Sequence, residues 1–244
     1  MTDHELAIAV AEEAGALLLA LQRSGRAEGR ELGALGDREA NHAILARLRA
    51  ERPDDCILSE ESADDKARCA QERAWIVDPL DGTREFSEGR DDWAVHIGLA
   101  VNGIAEIGAV ALPGCDAVYS SSAPPALSPP QSPPRIVVSR SRPPREAELA
   151  AAATGGTLVP MGSAGAKTMA VVRGDAEAYI HAGGQYEWDS CAPVAVARAA
   201  GLHVSRIDGS PLVYNCLDVS LPDLLVCRRE FAQPLLEAVR SRSD

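Results

Sequence analysis

Trp75-Ile76-Val77-Asp78-Pro79-Leu80-Asp81-Gly82-Thr83 is the stretch whose reading decides the fold. An apolar run ends in two carboxylates three residues apart, with a proline between them and a glycine and a hydroxyl after them. Pro79 has a fixed φ and no N–H, so Asp78 is pushed to extended geometry and both carboxylates can converge beyond the end of a strand. Hard oxygen donors without a nearby His or Cys suit Mg²⁺ better than a transition metal. N–H groups at Gly82 and Thr83, opening a helix that faces such a cation, would hold a phosphate. Taken alone, D-P-x-D is an ordinary turn that caps a helix; its surroundings in the chain decide otherwise.

The chain has 244 residues, with 24 Lys+Arg against 36 Asp+Glu and a net charge of −12. Such a surface repels nucleic-acid polymers and anionic membranes, while a small anion can still bind where metals and a few arginines line a pocket. The six cysteines (56, 69, 115, 191, 216 and 227) include no C-x-x-C pair and are read as reduced thiols. Met1-Thr2-Asp3-His4-Glu5 lacks the basic and apolar regions of a signal peptide, and no apolar run approaches a membrane span, so a cytoplasmic protein is expected.

Thr2 and Glu5 form a capping box ahead of a helical stripe through Leu6, Val10, Ala14, Leu17, Leu18 and Leu21, closed by Gly25. A Gly-rich connection then leads to Gly36-Asp37, where Asp37 is read as the N-cap of a second helix running to Pro53. Cys56–Ser59 is a buried strand that delivers Glu60 and Glu61, and the polar segment up to Arg73 is read as a mobile loop. Asn102-Gly103 joins two strands, 93–101 and 104–112, in a tight hairpin, with a third strand at 117–119. The Pro/Ser-rich stretch 120–134 cannot pack a core. It divides an N-terminal α+β domain (1–122) from a C-terminal α/β domain (135–244), with 123–134 as linker or loop. The second half alternates strand and helix, which implies layered α/β architecture.

Glu60, Asp78, Asp81 and Asp189 all fall at strand ends or helix starts. Carboxylates gathered there repel one another unless divalent cations supply the counter-charge, and paired metals can clamp both oxygens of an in-line phosphoryl displacement. Glu60-Glu61, Asp78-Pro79-Leu80-Asp81-Gly82-Thr83 and Trp188-Asp189-Ser190 with Gly201, in that order, resemble the inositol monophosphatase superfamily of lithium-sensitive, Mg²⁺-dependent phosphatases. The resemblance implies the layered αβαβα sandwich of the sugar-phosphatase type and two or three Mg²⁺ ions. Glu60, Asp78 and the Leu80 carbonyl would hold the first metal, and Asp78, Asp81 and Asp189 the second. Thr83, oriented by Asp37, would position a metal-activated water as nucleophile.

Finer features resemble the 3′(2′),5′-bisphosphate nucleotidase (CysQ-type) branch. These are Thr83-Arg84-Glu85-Phe86, Ser139-Arg140-Ser141-Arg142, Gly162-Ser163-Ala164-Gly165-Ala166-Lys167 and Trp188-Asp189-Ser190-Cys191-Ala192-Pro193. Asp81, Gly82, Thr83, Arg84, Ser139, Arg142, Ser163 and Lys167 are then the expected substrate contacts. Arg142 stands where the branch usually carries histidine. The implied substrate is adenosine 3′,5′-bisphosphate, with its sulfated analogue second, in the setting of sulfate assimilation. A broader phosphatase of inositol phosphates or fructose 1,6-bisphosphate is the alternative, and a non-catalytic nucleotide sensor a third reading. The partner expected is a small phosphorylated nucleotide; a homodimer is left open. Trp93, Trp188 and Tyr186 are expected to pack rather than stack on adenine.

Overall fold

The computed structural model describes residues 1–240. Helices α1 (Asp3–Ser24) and α2 (Gly29–Glu51) cover one face of a five-stranded sheet of β1 (Cys56–Ser59), β2 (Arg73–Asp81), β3 (Ala94–Val101), β4 (Ile104–Leu112) and β5 (Ala117–Ser120), in that order. The β1–β2 pair is parallel and the rest antiparallel. Between β2 and β3 lies the single-turn helix α3 (Thr83–Ser87). The second sheet contains β6 (Arg135–Ser139), β7 (Thr157–Met161), β8 (Ala178–Ala182), β9 (His203–Ser205) and β10 (Asp223–Cys227), in the order β7-β6-β8-β10-β9. Helices α4 (Arg145–Thr154) and α7 (Arg229–Arg240) cover its outer face. Helices α5 (Ala164–Arg173) and α6 (Glu187–Ala199) lie between the sheets. The result is the expected five-layer αβαβα stack.

Period-two alternation sorts side chains between the layers. On β3, Val95, Ile97 and Leu99 join the core under α1, while Ala94, His96 and Gly98 face α5 and α6. Glycines set how closely the central helices approach: a Cβ on Gly98 would lie 2.9 Å from Cys191 Sγ, and one on Gly108 only 2.3 Å from the Ala192 carbonyl oxygen. That contact draws the start of α6 onto the first sheet, although the two elements are some ninety residues apart in sequence.

Two local expectations are overturned. Asp37 caps nothing: α2 begins at Gly29, and Asp37 sits inside it. The glycines that suggested a connection are instead contact points, since a Cβ on Gly33 would come within 2.7 Å of Thr83 Cγ2 and one on Gly36 within 3.1 Å of Phe86 and Leu80. Nor is the segment before Arg73 a free loop. It contains a 3₁₀ turn at Lys66–Ala70 whose Arg68 is buried, forks onto Asp64 at 2.7 and 2.9 Å and donates to Asn215 Oδ1 and the Cys216 carbonyl. The stretch 120–134 is likewise tied down, with the Gln131 N–H donating to Glu177 and the Arg228 guanidinium to the Ser128 carbonyl.

Candidate active site

Residues three apart on a regular strand point to opposite faces, so Asp78 and Asp81 share a face only if the ladder is broken. It is: Asp78 pairs with His96 and Asp81 with Ala94, three steps on β2 against two on β3. The extra residue at Pro79-Leu80 is a β-bulge that turns Asp81 round to the side of Asp78. The Leu80 N–H donates to Asp78 Oδ1 at 3.0 Å and holds the turn. Asp189 arrives from α6, three residues past its N-cap Tyr186, whose N–H it accepts at 2.7 Å. Ligand oxygens of Asp78, Asp81 and Asp189 lie within 4.8 Å of one another.

Asp81 is the best-supported member. Its Oδ2 accepts the Ser163 hydroxyl and, at 2.7 Å, the Gly165 N–H, and lies 3.1 Å from His96 Nε2. Burial would raise its pKa, but His96, Lys167 and Ser163 hold it well below the ordinary range. The other acids go the opposite way. Burial, then Glu60, Asp81 and Asp189, drives Asp78 well above its usual value. Asp189 is pushed up to about 7 by burial and Asp81. Glu60 has an exposed outer surface, yet its carboxyl is raised to about 7 by desolvation in the cleft and by Asp37, Asp81 and Glu61, against a hydrogen bond with Asp78. His96 and Lys167 offset the charge of Asp81, while Asp78, Asp189 and Glu60 stay raised, and a hard divalent cation is the group these oxygen donors fit.

Thr83 opens α3 beside these acids, and its hydroxyl lies 3.4 Å from Asp37 Oδ1 and 3.2 Å from the Leu80 carbonyl. Burial, then Glu61, raises Asp37 to about 7. Gly82 takes φ +90°, which lets the chain leave the strand and enter the helix in one residue.

A cavity of about 570 Å³ opens from Asp81, Gly82, Thr83 and Asp189 toward Ser139, Arg142, Ser163 and Lys167. Its cations are unequal. Arg84 pairs with Glu88 at 2.9 Å, and Arg140 bridges Glu85 and Glu88 at 2.6 Å each. Lys167 is buried beneath the wall, donating to the Gly162 and Ser163 carbonyls at 3.1 and 2.6 Å and lying 5.2 Å over the Tyr179 ring. Arg142 is exposed and makes no ion pair among the described residues; its N–H donates to Ser139 Oγ at 3.3 Å. Ser163 caps α5 through the Ala166 N–H at 3.0 Å while it also serves Asp81.

His96, His181, Arg140 and Gln185 escaped the sequence reading. A lone polar residue in the apolar run Ala94–Ala100 was the available signal for His96. His181, on the cavity wall, is lowered to about 4 by burial and by Lys167 and Arg142. Trp93 is buried edge-on to Phe86, whereas Tyr186, 45% exposed, stacks on Trp188 at 4.9 Å.

The sequence pattern of the inositol monophosphatase family matches residues 3–243. The chain belongs to that family. It is 52% identical over 241 residues to a 3′-phosphoadenosine 5′-phosphate phosphatase of Mycobacterium bovis, covering 93% of this chain and 89% of the relative. It is 33% identical to the 3′(2′),5′-bisphosphate nucleotidase CysQ of Escherichia coli, covering 73% and 78%. Among solved structures, CysQ from Bacteroides thetaiotaomicron superposes with a TM-score of 0.79 at 28% identity, covering 93% of this chain and 97% of the other. Inositol monophosphatase II of Staphylococcus aureus shares the fold at 0.81 and 21%, covering 97% and 92%. Within the family the chain sits on the CysQ-type branch, and with its acidic cluster it is a metal-dependent phosphatase. No helix among the described residues is long and apolar enough to cross a membrane.

Proposed function

We propose that this phosphatase removes the 3′-phosphate of adenosine 3′,5′-bisphosphate to give AMP and phosphate, with 3′-phosphoadenylyl sulfate as a second substrate. The observation that carries the reading is the cavity that joins the Asp78–Asp81–Asp189 cluster to Arg142, which makes no ion pair among the described residues, at its far side. One end suits the phosphate that is cleaved; the other offers a planar cationic fork to a second anionic group on the same molecule.

Glu60, Asp78, Asp81, Asp189 and the Leu80 carbonyl would hold Mg²⁺, two or three ions in all, with Li⁺ expected to inhibit. Bound Mg²⁺ supplies Lewis acidity, making water a better nucleophile near neutral pH and offsetting phosphate charge. The chain's own residues supply position. The single Thr83 proton has two acceptors in reach, Asp37 and the Leu80 carbonyl, so a lone pair of the hydroxyl is left to accept a proton of the attacking water. Gly82 and Thr83 present the start of α3 to the phosphate, and Ser163 keeps Asp81 in place. No covalent intermediate is required.

Initial rates on adenosine 3′,5′-bisphosphate and inositol 1-phosphate, for wild type and Arg142→Ala, test this. Wild type is expected to prefer the nucleotide. Loss of one charge-assisted bond is expected to raise KM for the bisphosphate about tenfold with kcat little changed, leaving the inositol ester unaffected. A wild-type preference for the inositol ester, or equal losses on both esters, would refute it.

A further inference from the structure

His96 is fully buried on β3, opposite Asp78, and both its ring nitrogens face oxygen. Nδ1 lies 3.0 Å from the Trp188 carbonyl, and a carbonyl only accepts, so Nδ1 donates to it. Nε2 lies 3.1 Å from Asp81 Oδ2, an ion-pair contact bent away from ideal hydrogen-bond alignment. The ring therefore spans from one acid of the cluster, at the end of β2, to the peptide group immediately before another, Asp189 on α6. Gly165 packs directly against the ring: a Cβ there would fall 2.1 Å from His96 Nε2. The same Gly165 gives its N–H to Asp81 Oδ2. With Ser163, Gly165 and His96 all on Oδ2, Oδ1 takes no donor among the described residues.

We propose that His96 is a positioning residue of the cation site: its Nε2 side selects which Asp81 oxygen is presented, and the Trp188 carbonyl at the start of α6 holds the ring in that orientation. This rests on reading Asp81 and Asp189 as cation ligands. His96 touches neither substrate nor the reacting atoms and acts through Asp81 and the Trp188 peptide.

Mn²⁺ titrations of chelator-treated protein, followed by the paramagnetic resonance of the free ion, test the role without any turnover. Groups that orient a metal ligand typically change affinity by about 10–100-fold when removed, and His96→Leu is expected to weaken Mn²⁺ binding by that factor. In His96→Gln the amide nitrogen falls near the place of Nε2, so the donor to Asp81 is kept, and affinity is expected to stay within about threefold of wild type. Melting in EDTA provides the control, because loss of packing alone would lower stability in both variants and leave the difference between their affinities unexplained. Should the leucine variant fail to fold, His96→Asn replaces it: its amide reaches the Trp188 carbonyl but not Asp81, and the same loss is expected. Donor-free and glutamine variants that bind Mn²⁺ equally well overturn the role of His96 alone. A wild-type protein that binds no Mn²⁺ overturns the cation site and this role with it.

Discussion

Replacing Asp189 by asparagine exchanges a half-buried acid for a neutral amide of the same shape, and its effect on stability is expected to reverse with pH and with Mg²⁺. Burial, then Asp81, raises the Asp189 carboxyl to about 7, so near neutrality the folded protein retains a proton that the unfolded chain has released. Stability from that proton is complete below the unfolded value of about 4 and is lost as pH rises through 7. From pH 5 to pH 8 a single site of this kind is worth at most about 3 kcal/mol, at about 1.4 kcal/mol per pH unit over the two units below its midpoint. Relaxation and water entry reduce this, and a third of it, about 1 kcal/mol, still moves the melting temperature by about 2–4 °C at this chain length. Other groups titrate in the same window. Asp37 and Glu60, also raised to about 7, act in the same direction. His181, lowered to about 4, acts oppositely between its folded and unfolded values. Both kinds are present in wild type and in Asp189→Asn, so the difference between the two reports Asp189 together with the repulsion it exerts on Asp78, which acts in the same direction. In EDTA, scanning fluorimetry is expected to show wild type losing at least about 2 °C relative to Asp189→Asn between pH 5 and 8. Saturating Mg²⁺ at pH 8 is expected to reverse the order, because a ligand at about 100 times its Kd adds about 2.7 kcal/mol to the protein that binds it. A pH-independent gap in EDTA, or equal stabilisation of both proteins by Mg²⁺, would refute the claim that these acids await a counter-charge.

Asp81→Asn is expected to lower kcat for the bisphosphate at least about 100-fold, since it weakens a ligand and its bonds to Ser163 and Gly165 together; a wild-type rate would remove Asp81 from the site. Gly33→Ala places a Cβ 2.6 Å from Ser87 Oγ and 2.7 Å from Thr83 Cγ2, so α2 must part from α3. Overpacking of this kind is expected to cost about 1–3 kcal/mol in urea denaturation and to reduce kcat by displacing Asp37 from Thr83. Arg68→Ala removes the fork onto Asp64, which keeps Lys66 at 2.7 Å, and takes a donor from Asn215 Oδ1 and the Cys216 carbonyl; it is expected to destabilise by about 1–3 kcal/mol, with faster amide exchange across residues 62–72, measured by mass spectrometry.

The layered architecture was legible in the chain because its signals are local. The 3.6-residue stripe of α1, the Asn-Gly hairpin and the alternation of strand and helix after residue 135 each follow from side chains close in sequence. Asp78, Asp81 and Thr83 were legible for the same reason, since a proline and a glycine within one short stretch dictate the turn that carries them. Where glycines serve distant contacts, local reading failed. Gly33 and Gly36 looked like a break in the chain, yet they lie inside α2 so that α3 can approach, and Asp37 became a helix-interior residue instead of a cap. Arg68 lay in a segment read as a mobile loop until Asn215 and Cys216, almost 150 residues away, closed around it. Sequence alone therefore singled out the acids Asp78, Asp81 and Asp189 that the fold gathers within 4.8 Å, and the elements that carry them. Only the tertiary structure decided that a bulge turns Asp81 to the face of Asp78, that His96 spans to the base of α6, and that Arg142 makes no ion pair among the described residues while Lys167 is enclosed. Composition and periodicity act over a few residues, whereas register, close packing and charge pairing depend on which surfaces the folded layers bring together.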